Sequence, residues 1–125
     1  MELTTLKSEA YLHHLALESH DPVKLANFYA KVMNMKLNCF DNKIWHCTGP
    51  DRVLLFFKGE SKKLRFASFA CRSQESLDSI KDRASNAGIK IYPFFSELFE
   101  LGSFSVFDND ANQISFGLPL DKKIP

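Results

Sequence analysis

His14–Leu37, HLALESHDPVKLANFYAKVMNMKL, lies over Phe66–Ile89, FASFACRSQESLDSIKDRASNAGI, with no gap and a constant offset of 52 residues. Leu17 falls on Phe69, Asp21 on Ser73, Leu25 on Leu77, Phe28 on Ile80, Val32 on Ala84 and Leu37 on Ile89. Each copy reads as an apolar strand, a cap, an amphipathic helix and a second apolar strand. A duplicated unit builds a pseudo-symmetric scaffold with a cleft between its halves, so residues at equivalent positions become candidate site residues. Here His14 is matched with Phe66.

Working outward, Asp21-Pro22 marks a helix start: the carboxylate accepts from free N–H groups, and Pro22 has no N–H to leave unpaired. The spacing predicts a helix to about Met35 with Leu25, Phe28, Tyr29 and Val32 inward. A strand over Leu12–Ser19 precedes it. Strands over Lys36–Phe40, Lys43–Cys47 and Arg52–Lys58 follow, turned at Asp41-Asn42 and Gly49-Pro50. The second copy repeats the order. A strand from Leu64 to about Cys71 leads to a helix capped by Ser73, with Leu77, Ile80, Ala84 and Ala87 inward and Gly88 as its stop. Strands over Ile89–Pro93, Gly102–Phe107 and Gln113–Leu118 complete it, the last two joined by the turn cluster Phe107–Asn112. The fold class is therefore α+β: two tandem βαβββ modules, about 12–60 and 63–118, after an N-terminal arm (1–11) and before a C-terminal tail (119–125). Helices cover one face of such a mixed sheet, which leaves the other as a concave cleft or a surface for a partner.

A chain of 125 residues is one domain with room for a core. The net charge is +1, and no run of Lys or Arg exceeds two residues, which excludes an electrostatic footprint for nucleic acid. No stretch approaches a membrane span, and the first residues lack the pattern of a signal peptide. Cys39, Cys47 and Cys71 form no C-x-x-C pair. They read as reduced, buried thiols of a cytoplasmic protein. Twelve Phe against one Trp suit a packed interior with a surplus to line a cavity.

The order of elements, with His14-Leu15-Ala16-Leu17, Phe28-Tyr29, Ala87-Gly88-Ile89 and Asp108-Asn109-Asp110-Ala111-Asn112, resembles the vicinal oxygen chelate superfamily. That group includes glyoxalase I, extradiol dioxygenases, fosfomycin-resistance enzymes and bleomycin-binding proteins. The resemblance covers residues 12 to 118. The family's closing turn, Asp-Pro-Asp-Gly-Asn, stands here with Ala111 in place of glycine. In metal-dependent members four cleft positions carry His or Glu. The resemblance places these at His14, Phe56 (or a neighbour within one residue), Phe66 and Ser115. One imidazole and one hydroxyl do not hold a catalytic metal, so it implies a degenerate metal site and no cofactor. A divalent metal such as Fe(II), Mn(II), Ni(II) or Zn(II) is the alternative. It also implies a homodimer.

Strand alternation puts Ala16 and Glu18 on the face of His14, and His13 on the opposite, helix-packed face. His14 reads as a general base or substrate anchor, with Glu18 nearer the mouth, or as a structural histidine. Ser68, Ala70, Ser115 and Gly117 would floor the cleft and Phe56 and Phe66 wall it, unless those two rings fill it. Either Trp45 or His46 faces it. Tyr92 and Pro93-Phe94-Phe95 read as a lid or a dimer contact. The lining suits a small apolar or aromatic molecule held by few polar contacts. The competing readings are a glyoxalase- or dioxygenase-type enzyme and a non-catalytic dimeric interaction protein.

Overall fold

The computed structural model describes residues 9–40, 43–49, 52–60 and 63–120. The elements are β1 (Ala10–Ser19), α1 (Pro22–Val32), β2 (Lys36–Phe40), β3 (Ile44–Thr48), β4 (Val53–Lys58), β5 (Lys63–Cys71), α2 (Gln74–Asn86), β6 (Tyr92–Pro93), β7 (Phe104–Phe107) and β8 (Gln113–Gly117). The strands form one mixed sheet of eight in the order β2-β3-β4-β1-β5-β8-β7-β6. β1 runs parallel to β4 and β5 parallel to β8, while β1 and β5 meet antiparallel at the centre. There His14 pairs with Ser68 and Ala16 with Phe66. Shifting His14 forward and Ser68 back by the repeat offset of 52 yields Phe66 and Ala16, so the duplication in sequence is a two-fold in the sheet.

Both helices pack on one face. Asp21 caps α1 by accepting from Lys24 N at 3.1 Å, and Ser73 caps α2 by accepting from Ser76 N at 3.1 Å. α1 ends at Val32, short of Met35, and Asn34 behind it takes a left-handed φ of 55°. Its inner face is Leu25, Ala26, Tyr29 and Ala30, packed on Cys47, Leu54 and Phe56. Phe28 and Val32, expected inside, are 55% and 62% exposed. The small Ala26 lets the helix backbone come close, and the Cys47 thiol donates to its carbonyl at 3.2 Å. α2 lays Leu77 and Ile80 on Cys71, Phe104 and Phe116, and Ala87 is exposed rather than inward. Gly88 ends the helix at φ +80°, a conformation open to glycine without a Cβ clash.

β1 begins at Ala10, inside the expected arm, and β6 is shortened to Tyr92–Pro93. The Asp41-Asn42 turn and Pro50 lie outside the described residues, as do residues 1–8 and 121–125. No helix among the described residues is long and apolar enough to cross a membrane. All three cysteines are free thiols, with Cys47 and Cys71 buried.

The β7–β8 turn is built by Asp108, whose carboxylate accepts from Asp110 N and Asn112 N at 2.9 Å and from Asn112 Nδ2 at 3.2 Å. Those donors hold its carboxyl below the usual range. Within this turn Ala111 adopts φ 66°, where a Cβ crowds the following carbonyl. Ala111→Gly is therefore expected to stabilise the fold by roughly 1 kcal/mol. Chemical denaturation checks this, and a lowered midpoint would contradict it.

Candidate functional site

The β1–β5 pairing slips twice, and the two slips make the site. Leu12 pairs with Phe69 and Leu15 with Ala67, so His13 and His14 together oppose Ser68. Strict alternation would send adjacent side chains to opposite faces, but a β-bulge re-aims one of them. Both imidazoles consequently lie on the helix-free face. Their Nδ1 atoms are 3.0 Å apart, and both rings pack on Phe99, at 5.5 and 5.0 Å between centroids. The expectation that His13 faces a helix is corrected by this bulge. The second slip lies between Ala16–Phe66 and Leu17–Leu64, which makes Arg65 the extra residue. Arg65 and Phe66 thus line one pocket together.

The floor of the cleft is polar and sealed. His14, Ser68, Ser105 and Ser115 have no exposed surface. Ser68 and Ser115 hydroxyls bond at 2.5 Å, and Gln113 Nε2 donates to Ser105 Oγ at 3.2 Å. His14 Nε2 lies 3.3 Å from Ser96 Oγ, which also accepts from Leu98 N at 3.1 Å. Among the described residues no buried side-chain N or O lacks a partner.

The segment 94–103 covers this floor. Phe99 packs over Gly117, where an added Cβ would collide with the Phe99 ring and the Ser103 hydroxyl. Glu100 N donates to Leu118 O at 2.8 Å and Leu120 N to Leu98 O at 3.0 Å, tying the segment to the end of β8. Phe94 packs on Phe66 at 5.1 Å, and Phe95 is 72% exposed at the rim. The ring that fills this half of the cleft is Phe99.

Beside the seal, toward the first module, a pocket of about 250 Å³ remains. Leu55, Phe57, Phe66 and Leu98 form its apolar walls, with His46 and Arg65 among its polar lining. Phe56 is not part of it. Phe56 is wholly buried on the helix face, stacked on Tyr29 at 5.7 Å, and its neighbour Leu55 faces the pocket instead. Trp45 goes to the helix side with Phe56, which leaves His46 as the cleft-facing member of that pair. Tyr92 sits at the sheet's far edge against Phe107, at 5.5 Å, away from the pocket. Glu18 accepts from Glu60 N at 3.2 Å and reaches Arg65 Nε at 3.9 Å. Sequence reading missed His13, Arg65, Ser96, Leu98 and Phe99. A bulge leaves no mark in the period-two pattern, and the covering segment has no periodicity of its own.

The four positions that the resemblance assigns to metal ligands are His14, Leu55 (the pocket-facing neighbour of Phe56), Phe66 and Ser115. Both ring nitrogens of His14 lie within bonding distance of His13 or Ser96, and the Ser115 hydroxyl is bonded to Ser68. Among the described residues no group of three or more His, Cys, Asp or Glu is arranged to hold a metal ion. This donor set does not fit a divalent cation, which takes three or more lone-pair ligands from the protein.

No family model matches the chain, and no curated protein matches it by sequence. Solved structures do. Homoprotocatechuate 2,3-dioxygenase from Brevibacterium fuscum, in complex with 3,4-dihydroxyphenylacetate, superposes with TM-score 0.71 at 18% identity, over 86% of this chain and 36% of that one. Catechol 2,3-dioxygenase superposes with TM-score 0.71 at 18% identity, over 86% of this chain and 38% of that one. The chain has the extradiol-dioxygenase fold. It spans little more than a third of the length of these two enzymes. At this identity the likeness is one of fold, and chemistry is argued from the site.

The buried imidazoles shape the pH response. Burial, and then the repulsion that charged His13 and His46 would exert, push His14 down to about 3. Burial pushes His46 down to about 4. His13 is lowered by burial and by Arg52. With folded values below the unfolded value of 6.5, the unfolded chain takes protons first as pH falls. The stability these residues contribute is complete above about pH 6.5 and drains as pH drops toward 4 and then 3. Each imidazole protonated only in the unfolded chain costs up to about 1.4 kcal/mol per pH unit. Urea unfolding at pH 7, 6 and 5 should show falling free energies. A flat profile across that window would contradict neutral, buried imidazoles.

Proposed function

We propose that the chain is a metal-independent binding protein for a small apolar or aromatic molecule, held in the pocket between β3, β4, β5 and residues 95–98. The observation that carries this reading is the contrast between the two halves of the cleft. Phe99 fills the half with the hydroxyl floor, whereas the other half keeps about 250 Å³ lined mostly by apolar side chains. Flat ligands suit walls such as Phe57 and Phe66, which offer ring faces and edges at little entropic cost. An enzymatic reading with His14 as base is less favoured, because its ring is wholly covered and a base must reach the proton it removes.

The test combines metal and ligand. Protein purified without chelator is incubated anaerobically with Fe(II), Mn(II), Ni(II) or Zn(II), desalted and analysed by elemental analysis. The expected outcome is no stoichiometric retention; one metal per chain overturns the reading. In parallel, 2-naphthol is titrated with thermal unfolding as the readout. A ligand that binds only the folded state adds about 2.7 kcal/mol at a hundred times its Kd. Wild type should gain stability and Leu98→Trp, which crowds the pocket wall, should not. Equal responses from both would place any binding elsewhere.

A further inference from the structure

Resting on the pocket reading above, we propose that the molecule it takes is a small flat anion, a carboxylate on an apolar body, and that Arg65 is the residue that selects it. The bulge on β5 is the device that aims Arg65. As the extra residue between two ladder pairs, it lines the pocket with Phe66, and it also borders a groove beside Pro22 and Val23 at the start of α1. Its guanidinium carbon sits 4.2 Å from the centroid of Phe57, another pocket wall, so the cation is laid on an aromatic face at the rim of the pocket, with 44% of its side chain exposed.

Among the described residues the polar partner of Arg65 is Glu18, and that contact is loose: one carboxylate oxygen at 3.9 Å from Nε. The other oxygen of Glu18 is taken by Glu60 N. A guanidinium has five N–H donors and binds a carboxylate best as a two-point fork. The Glu18 contact uses Nε alone, which leaves the paired edge of the fork for a ligand. Glu97 lines the same pocket but is exposed, and forms no ion pair with Arg65. The pocket therefore presents a stacked cation beside apolar walls. A neutral arene would fill the walls and leave the cation without a new partner, whereas a carboxylate on that arene would engage both.

The experiment uses matched probes, 2-naphthoate and 2-naphthamide, titrated calorimetrically into the full chain at pH 7. Both share the ring system of 2-naphthol and differ at one substituent, a charged carboxylate that only accepts hydrogen bonds against a neutral amide of nearly the same shape. The expected result is binding of 2-naphthoate about tenfold tighter than of the amide, the scale of a charge-assisted over a neutral hydrogen bond. Arg65→Met keeps an apolar stem against Phe57 and should erase the preference while amide binding persists. Arg65→Lys should restore only part of it, since an ammonium lacks the fork. Glu18→Gln removes the competing charge, retains the acceptor for Glu60 N, and should strengthen naphthoate binding without changing the amide.

Equal affinity for acid and amide while 2-naphthol still binds overturns the anion proposal and leaves the apolar pocket standing. A preference for naphthoate that survives Arg65→Met also overturns it. Failure of all three probes to bind removes the pocket reading and this proposal together.

Discussion

The central β1–β5 ladder is the constraint on which the rest of the molecule depends. It joins the two modules, sets the two-fold, and carries both irregularities that give the helix-free face its chemistry. A ladder without slips would bury one imidazole of the His13-His14 pair against the helices and turn one of Arg65 and Phe66 the same way. Each bulge breaks that rule once. One gathers two imidazoles at the centre of the floor, and the other sets a cation beside an aromatic wall. The slips lie close together on the same strand pair, one on each side of the Leu15–Ala67 pair about which the pseudo-symmetry turns.

Burying so many polar groups has a consequence for the covering segment. A buried polar atom without a partner costs about 1–3 kcal/mol, so a row of serines and histidines under an apolar ring persists only if the groups satisfy one another. They do: serine bonds serine, histidine bonds histidine, and Ser96 descends from the covering segment to meet His14. The same arrangement requires the imidazoles to stay neutral, because two cations with nitrogens 3.0 Å apart would repel in a poorly screened interior. Seal, hydrogen bonding and protonation state thus hold one another in place. Gly117 is the geometric condition for it, since any side chain there would lift Phe99.

The fold was legible because its signals are periodic and local. The 52-residue offset, the Asp21 and Ser73 caps and the Gly88 stop are each mechanisms that a single sequence displays, and the structure uses all of them. The inner face of α1 was misread because Phe28 and Val32 also satisfy helical spacing. Which stripe is buried was decided by the sheet, where Phe56 and Trp45 favour the small Ala26 and Ala30 at close approach. Site residues were legible only where alternation held. Ser68, Ser115 and Phe66 lie on the face expected for them, while His13 and Arg65 depend on bulges and Phe56 depended on a register uncertain by one residue. Phe99 was unreadable in principle: it enters the cleft from a segment with no period, placed by backbone bonds to the chain beyond β8.

A symmetric scaffold need not yield symmetric faces. The two-fold maps His14 onto Phe66 and Ala16 onto Ser68, so at the central ladder each polar residue of one half meets an apolar counterpart in the other, while further out, on β7 and β3, Ser105 answers to His46. The same mapping, extended to the flanking strands, sets Leu55 on β4 against Ser115 on β8. The hydroxyl side is roofed by Phe99 and the leucine side opens into the pocket. The two copies of the unit differ by a few residues on one face, while the helix-packed face keeps the matched apolar pattern that holds the halves together. The division follows from ordinary packing. Serines, being small, leave depth that an aromatic ring can fill, whereas Leu55, Phe57 and Phe66 project far enough to leave a shallow, apolar-walled space above them.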